Sequence, residues 1–133
     1  MAKLHLGLNM CWARKRWPEA KEWAKITAKD FGIKYVEYCS DMLDPAYFSP
    51  ANVKLVAAEA KREAAKHKVV IYDYYTGLAT HCLNHMSHPD PRVAKDGLRW
   101  CENAIAVAEL LGANGIGGHF DCMPVSTWTD PKK

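Results

Sequence analysis

Hydrophobic and polar positions along the chain switch period several times. Leu4-His5-Leu6-Gly7-Leu8-Asn9 alternates apolar with small or polar residues, the two-residue period of a strand. On that reading the leucines face a helix layer, and His5, Gly7 and Asn9 face the other way. The period then turns helical. Pro18 suits a first helical position, where no backbone N–H is needed. Ala20, Trp23, Ala24, Thr27 and Phe31 recur at helical spacing, and Gly32 stands where a left-handed stop belongs. Ile33 to Tyr38, β-branched and aromatic, predicts a second strand. Ser49-Pro50 opens a second helix with serine as cap, and Val53, Val56, Ala57, Ala60 and Ala64 form its apolar face. Lys66, His67 and Lys68 close it, where positive charge suits the helix dipole. Val69-Val70-Ile71-Tyr72 is apolar without alternation, as in a parallel strand covered on both faces. A long connection from Asp73 to about Asp90 reads as irregular, and connections of that length are often functional. Asp90-Pro91 caps a third helix, with Leu98, Cys101, Ile105, Ala108 and Leu111 as its buried stripe and Gly112 as its stop. Gly115 to Phe120 predicts a fourth strand.

Strands alternating with helices imply an α/β fold with parallel pairing and right-handed crossovers, βαβαβαβ. A closed (β/α)8 TIM barrel takes eight such units over ~250 residues. The 133 residues are therefore expected to form one partial domain, 1–133, the N-terminal half of such a barrel. The glycines from Gly112 to Gly118 lie between a helix and a strand. A dinucleotide loop runs from strand to helix instead, so these glycines are read as structural.

Composition narrows the function. A net charge of +3 and a basic run of only three residues, Arg14-Lys15-Arg16, make a nucleic-acid partner unlikely on sequence grounds. The five cysteines are scattered and odd in number, which argues against a disulfide framework and for a cytoplasmic setting. Met1-Ala2-Lys3-Leu4-His5-Leu6 lacks a signal-peptide core, and no apolar run approaches a membrane span.

In a parallel barrel the chemistry gathers at the C-terminal ends of the strands. Those ends offer Asn9, Met10, Cys11 and Trp12, then Glu37, Tyr38, Ser40 and Asp41, then Asp73, Tyr74 and Tyr75 with the following loop, and then His119, Asp121 and Cys122. Trp12, Tyr74 and Tyr75 suit stacking on the apolar face of a sugar ring; Trp23 and Trp100, within helices, suit packing. Glu37 interrupts an apolar strand, and a carboxylate facing a barrel interior must be paired or hydrogen-bonded. His119 is expected to point inward at the mouth. The loop from Thr80 to His88 carries His81, Cys82, Asn84, His85 and His88, but its spacing fits no closed four-ligand zinc pattern, and no metal ligand is assigned from it.

Leu6-Gly7-Leu8-Asn9, Tyr35-Val36-Glu37-Tyr38, Asn84-His85-Met86-Ser87-His88-Pro89-Asp90-Pro91 and Gly118-His119-Phe120 together resemble the xylose isomerase-like barrels, a superfamily of sugar and sugar-phosphate isomerases and epimerases. The loop is similar to an Asn-Pro-Leu-His-Pro-Asp-Pro stretch, with His85 where proline is expected. The resemblance implies a divalent metal (Mn, Mg, Co or Zn) and paired carboxylates that move a proton beside a carbonyl. It places those ligands and carboxylates on later strands, outside this chain. It leaves Asn9, Glu37, His81, Asn84 and His119 as substrate-binding residues for a small sugar or sugar phosphate, and assigns no catalytic residue. The chain alone is then expected to be inactive without its missing C-terminal half or a homo-oligomeric partner. Two other readings stand beside this one. An apurinic-site endonuclease-like zinc barrel would use His81 and His119 as ligands. A non-catalytic half-barrel would serve as an assembly module.

Overall fold

The computed structural model describes residues 4–129. Met1-Ala2-Lys3, and with it the start of the leader reading, lies outside the described residues, as do both ends of the 1–133 domain. Strand β1 (Gly7–Asn9) leads through a 3-10 turn (Met10–Trp12) to α1 (Ala20–Lys25), which continues as a π-helical turn (Ile26–Asp30). Then follow β2 (Tyr35–Cys39), a 3-10 turn (Ser40–Met42), α2 (Pro50–Lys66), β3 (Val70–Tyr75), α3 (Gly77–Cys82), α4 (Pro91–Leu111), β4 (Ile116–Gly117) and α5 (Val125–Trp128). The strands form one parallel sheet in the order β1-β2-β3-β4. The expected α/β class and parallel topology hold.

The cap signals of α2 and α4 act as expected, whereas Pro18 stands ahead of the α1 cap, Glu19, and not at the first helical position. Ser49 Oγ accepts the Asn52 N–H, Asp90 Oδ1 accepts the Arg92 N–H, and proline follows each cap. Gly112, at φ +74°, ends α4 in the left-handed region. The core lies between the outer face of the sheet and the helices. Val36 and Tyr38 of β2 and Ile71 and Tyr74 of β3 point there, against Trp23, Ala24, Ala57, Ala60 and Val107. Trp23 is fully buried and meets Tyr38 edge to face, with ring centroids 5.9 Å apart.

Several expectations are corrected. Leu4 and Leu6 are 95% and 77% exposed rather than lying under a helix layer, because the first strand forms only over Gly7–Asn9, where Leu8 is half-buried. The third strand runs on through Asp73 and Tyr75, and the supposedly irregular connection contains α3. The fourth strand keeps only Ile116 and Gly117, so His119 lies beyond its end. On α4 the buried stripe is Gly97, Trp100, Ala104, Val107, Ala108 and Leu111, while Leu98 and Ile105 face outward. Small residues decide this rotation. A Cβ on Gly97 would lie 2.6 Å from that of His85, so only glycine lets the helix approach so closely.

Candidate functional site

Alternation along the strands gives the inner face of the sheet its chemistry. Parallel register sets Asn9 beside Glu37 and Glu37 beside Asp73. Asn9 Nδ2 donates to Glu37 Oε2. Asn9 Oδ1 also accepts the Cys11 N–H at 2.8 Å, which holds the amide in one orientation. Alternation puts the Tyr72 ring on this side, where it meets Tyr35 edge to face at 6.2 Å, and a bulge there brings Asp73 to the same side. On β4, a Cβ on Gly117 would lie 2.8 Å from Asp73 Oδ2, so glycine leaves room for the carboxylate. Asn9, Glu37, Asp73, Tyr35 and Tyr72 border an open concavity of about 820 Å³.

The next row toward the strand ends holds Cys39 beside Tyr75, and Tyr75 beside Gly117. Burial raises the Tyr75 phenol above its ordinary value, and nearby Cys11, Cys39, Glu37 and Asp41 add to this. Above it, the rings of His81 and His119 meet with centroids 4.4 Å apart, and Tyr75 lies 6.2 Å from His119. Thr76 Oγ1 donates to the His119 carbonyl at 2.9 Å and anchors this end of the chain. Gly77, at φ +69°, turns the chain into α3; a Cβ there would stand 2.2 Å from Ser40 Oγ. That close approach ties the ends of β2 and β3 together, as do the hydrogen bonds from Ser40 Oγ to the Thr76 carbonyl and from the Leu78 N–H to Asp41.

The sequence-derived residues thus divide. Asn9 and Glu37 meet directly, and His81 and His119 meet directly, at the same end of the sheet. Asn84 stands apart from both pairs: its Nδ2 donates to the Cys122 carbonyl at 2.8 Å and pins the loop to the segment after β4. Asp121 completes that clip by accepting the N–H groups of His85 and Ser87. Burial alone would raise the Asp121 carboxyl, but backbone donors from Ser87, Cys122 and His85 outweigh it and hold the group below its ordinary value. Trp12 packs on Trp17 and Phe31, at 5.3 and 5.1 Å, within the packing around α1. Tyr74, read from sequence as a stacking residue, is core: its ring is buried and its hydroxyl donates to the Leu43 carbonyl. Asp73 and Tyr75, which the sequence offers at the end of the third strand, both face the inner side of the sheet, and the bulge at Tyr72 sets Asp73 there. The addition is Cys39, whose sulfur lies 3.2 Å from that of Cys11 in the turn after β1.

Of the implied divalent metals, Mn and Mg do not fit the side chains present, and Zn or Co would find only a three-ligand set whose carboxylate is already paired. Among the described residues, the one group of three ligand-type side chains within 4.8 Å of one another is Cys11, Cys39 and Asp41. Two thiols do not suit Mn or Mg, and the Asp41 carboxylate is already engaged by Arg14 at 2.5 Å and the Leu78 N–H at 2.9 Å.

No family model and no curated protein matches the sequence. Solved structures do. A candidate xylose isomerase from Rhodospirillum rubrum superposes with a TM-score of 0.90 at 25% identity, over 98% of this chain and 44% of its own. A D-psicose 3-epimerase, solved in the presence of D-fructose, superposes with a TM-score of 0.62 at 14% identity, over 86% of this chain and 37% of its own. The fold is that of the N-terminal part of a xylose isomerase-like TIM barrel. The chain spans less than half the length of either structure.

Proposed function

We propose that this chain supplies the sugar-lining part of an isomerase or epimerase that moves a proton beside a carbonyl. The observation that carries the reading is the row Asn9–Glu37–Asp73 on the open inner face. A carboxylate accepts two hydroxyl hydrogens and an amide donates to a hydroxyl oxygen, the pattern a polyol offers. Tyr35 and Tyr72 flank the row with aromatic faces. His81 and His119 add ring nitrogens at the mouth. Two carboxylates repel a phosphate, so the row favours the neutral part of a sugar. Likeness to a candidate xylose isomerase and to a D-psicose 3-epimerase supports the same class. In this reading the divalent metal is held by side chains outside the described residues, and Asn9 and Glu37 bind and orient the sugar.

The first test uses the 133-residue chain. Nuclear magnetic resonance titration with D-fructose is expected to shift the amides around Asn9, Glu37, Asp73 and Tyr75, and not those on the outer face of α2. Incubation of the same sample with Mn²⁺ or Co²⁺ is expected to give no aldose and no epimer. Turnover by the isolated chain would overturn the placement of the metal outside it, and shifts confined to the helices would overturn the site.

A further inference from the structure

We infer that Cys11 and Cys39 form a peroxide-sensitive dithiol that closes to a reversible disulfide across the ends of β1 and β2. Their sulfurs lie 3.2 Å apart, although 28 positions separate them in the chain. The turn after β1 produces the meeting. Asn9 pairs with Glu37 and caps the 3-10 turn by accepting the Cys11 N–H, which sets Cys11 against Cys39 at the end of β2. A disulfide needs about 2.05 Å between sulfurs, an approach of roughly 1 Å that small side-chain rotations supply. The other three cysteines, Cys82, Cys101 and Cys122, show no comparable pairing among the described residues.

The two thiols differ in the way a sequential reaction needs. Cys11 is half-buried, so a small oxidant meets it first, while Cys39 is fully buried behind it. The Asp41 carboxylate, which lies within 4.8 Å of both sulfurs, is neutralised by its ion pair with Arg14. Hydrogen peroxide is the co-reactant. The Cys11 thiolate attacks one peroxide oxygen; an S–O bond forms, the O–O bond breaks, and the departing hydroxide takes a proton to become water. Cys39 sulfur then attacks Cys11 sulfur; the S–S bond forms, the S–O bond breaks, and hydroxide leaves with the Cys39 proton as a second water. Both sulfurs are oxidised and both peroxide oxygens reduced, and a thiol reductant reverses the result. A zinc site is a poorer account of the same group. The group offers three ligands rather than four, and the carboxylate among them is already engaged by Arg14 and the Leu78 N–H.

The experiment is peptide mapping of the full chain after brief treatment with hydrogen peroxide, with free thiols blocked by N-ethylmaleimide before digestion. It does not depend on the sugar reading. The expected product is a Cys11–Cys39 cross-linked peptide, lighter than the two reduced peptides by about 2 Da and lost on treatment with dithiothreitol. Cys11→Ser is expected to abolish it and leave Cys39 unmodified. Cross-links that use only Cys82, Cys101 or Cys122, or Cys11 over-oxidised to sulfinic acid beside a free Cys39, would overturn the inference. So would native mass spectrometry showing one zinc ion that displaces both thiol protons and blocks the oxidation.

Discussion

At the scale of single residues, the molecule separates side chains that hold the fold from those free for chemistry. Trp23 has no exposed surface and meets Tyr38 edge to face, so Trp23→Ala removes an indole from a closed core. The expected cost is about 3–5 kcal/mol, read as a lower urea midpoint. Burial holds the Cys39 thiol and the Tyr38 and Tyr74 phenols above their ordinary values. In the unfolded chain these groups ionise near their ordinary values, about 8.5 for the thiol and about 10 for the phenols. Above those values the unfolded state binds fewer protons than the folded one, so stability is full at lower pH and falls as pH rises. Urea midpoints measured under reducing conditions are expected to decline from about pH 8.5 and more steeply beyond about 10. Cys39→Ala should remove the first part of that decline. Glu37 was legible because a carboxylate within an apolar strand demands a partner. Tyr74 was not, because an aromatic at a strand end serves equally well as core or as a stacking platform, and only neighbours decide.

At the scale of elements, caps and strand periods were legible, and the rotation of helices was not. Ser49, Asp90 and Gly112 end their helices as their local chemistry dictates. The buried face of α4 depends on how closely His85 and its loop approach Gly97, a contact between distant segments. Gly77 is the corresponding joint at the mouth. Gly77→Ala places a methyl group 2.2 Å from Ser40 Oγ on a backbone at positive φ. The expected loss exceeds about 1 kcal/mol, since an L side chain is strained there before any clash is counted. It should appear as faster hydrogen exchange at Leu78. The loop that resembled the sugar-isomerase stretch is held by Asp121, which accepts two of its backbone N–H groups. Asp121→Ala is expected to speed exchange at His85 and Ser87 while leaving the amides of α2 unchanged. Equal acceleration in α2 would mean that Asp121 supports the whole domain rather than this loop.

At the scale of the whole molecule, the described residues form a sheet with helices on one face and an open inner face on the other. β1 and β4 each have a single strand neighbour, and Leu4, Leu6, Leu98, Ile105, Phe120 and Trp128 are exposed. Apolar surface and unpaired strand edges favour association. The 133-residue chain is expected to sediment faster with rising concentration, and Leu6→Lys with Leu98→Lys should weaken that trend. The same open face carries Asn9, Glu37 and Asp73, so the account of function rests on this row. The most direct measurement is the steady-state kinetics of the protein as its gene encodes it, acting on ketoses, with Asn9→Ala and Glu37→Gln beside the unaltered form. Loss of a hydrogen bond to a charged group costs about 1.5–3 kcal/mol, so kcat/KM should fall roughly 10- to 100-fold in each, with KM rising. Unchanged kinetics in both variants would contradict the assignment of this row to the sugar.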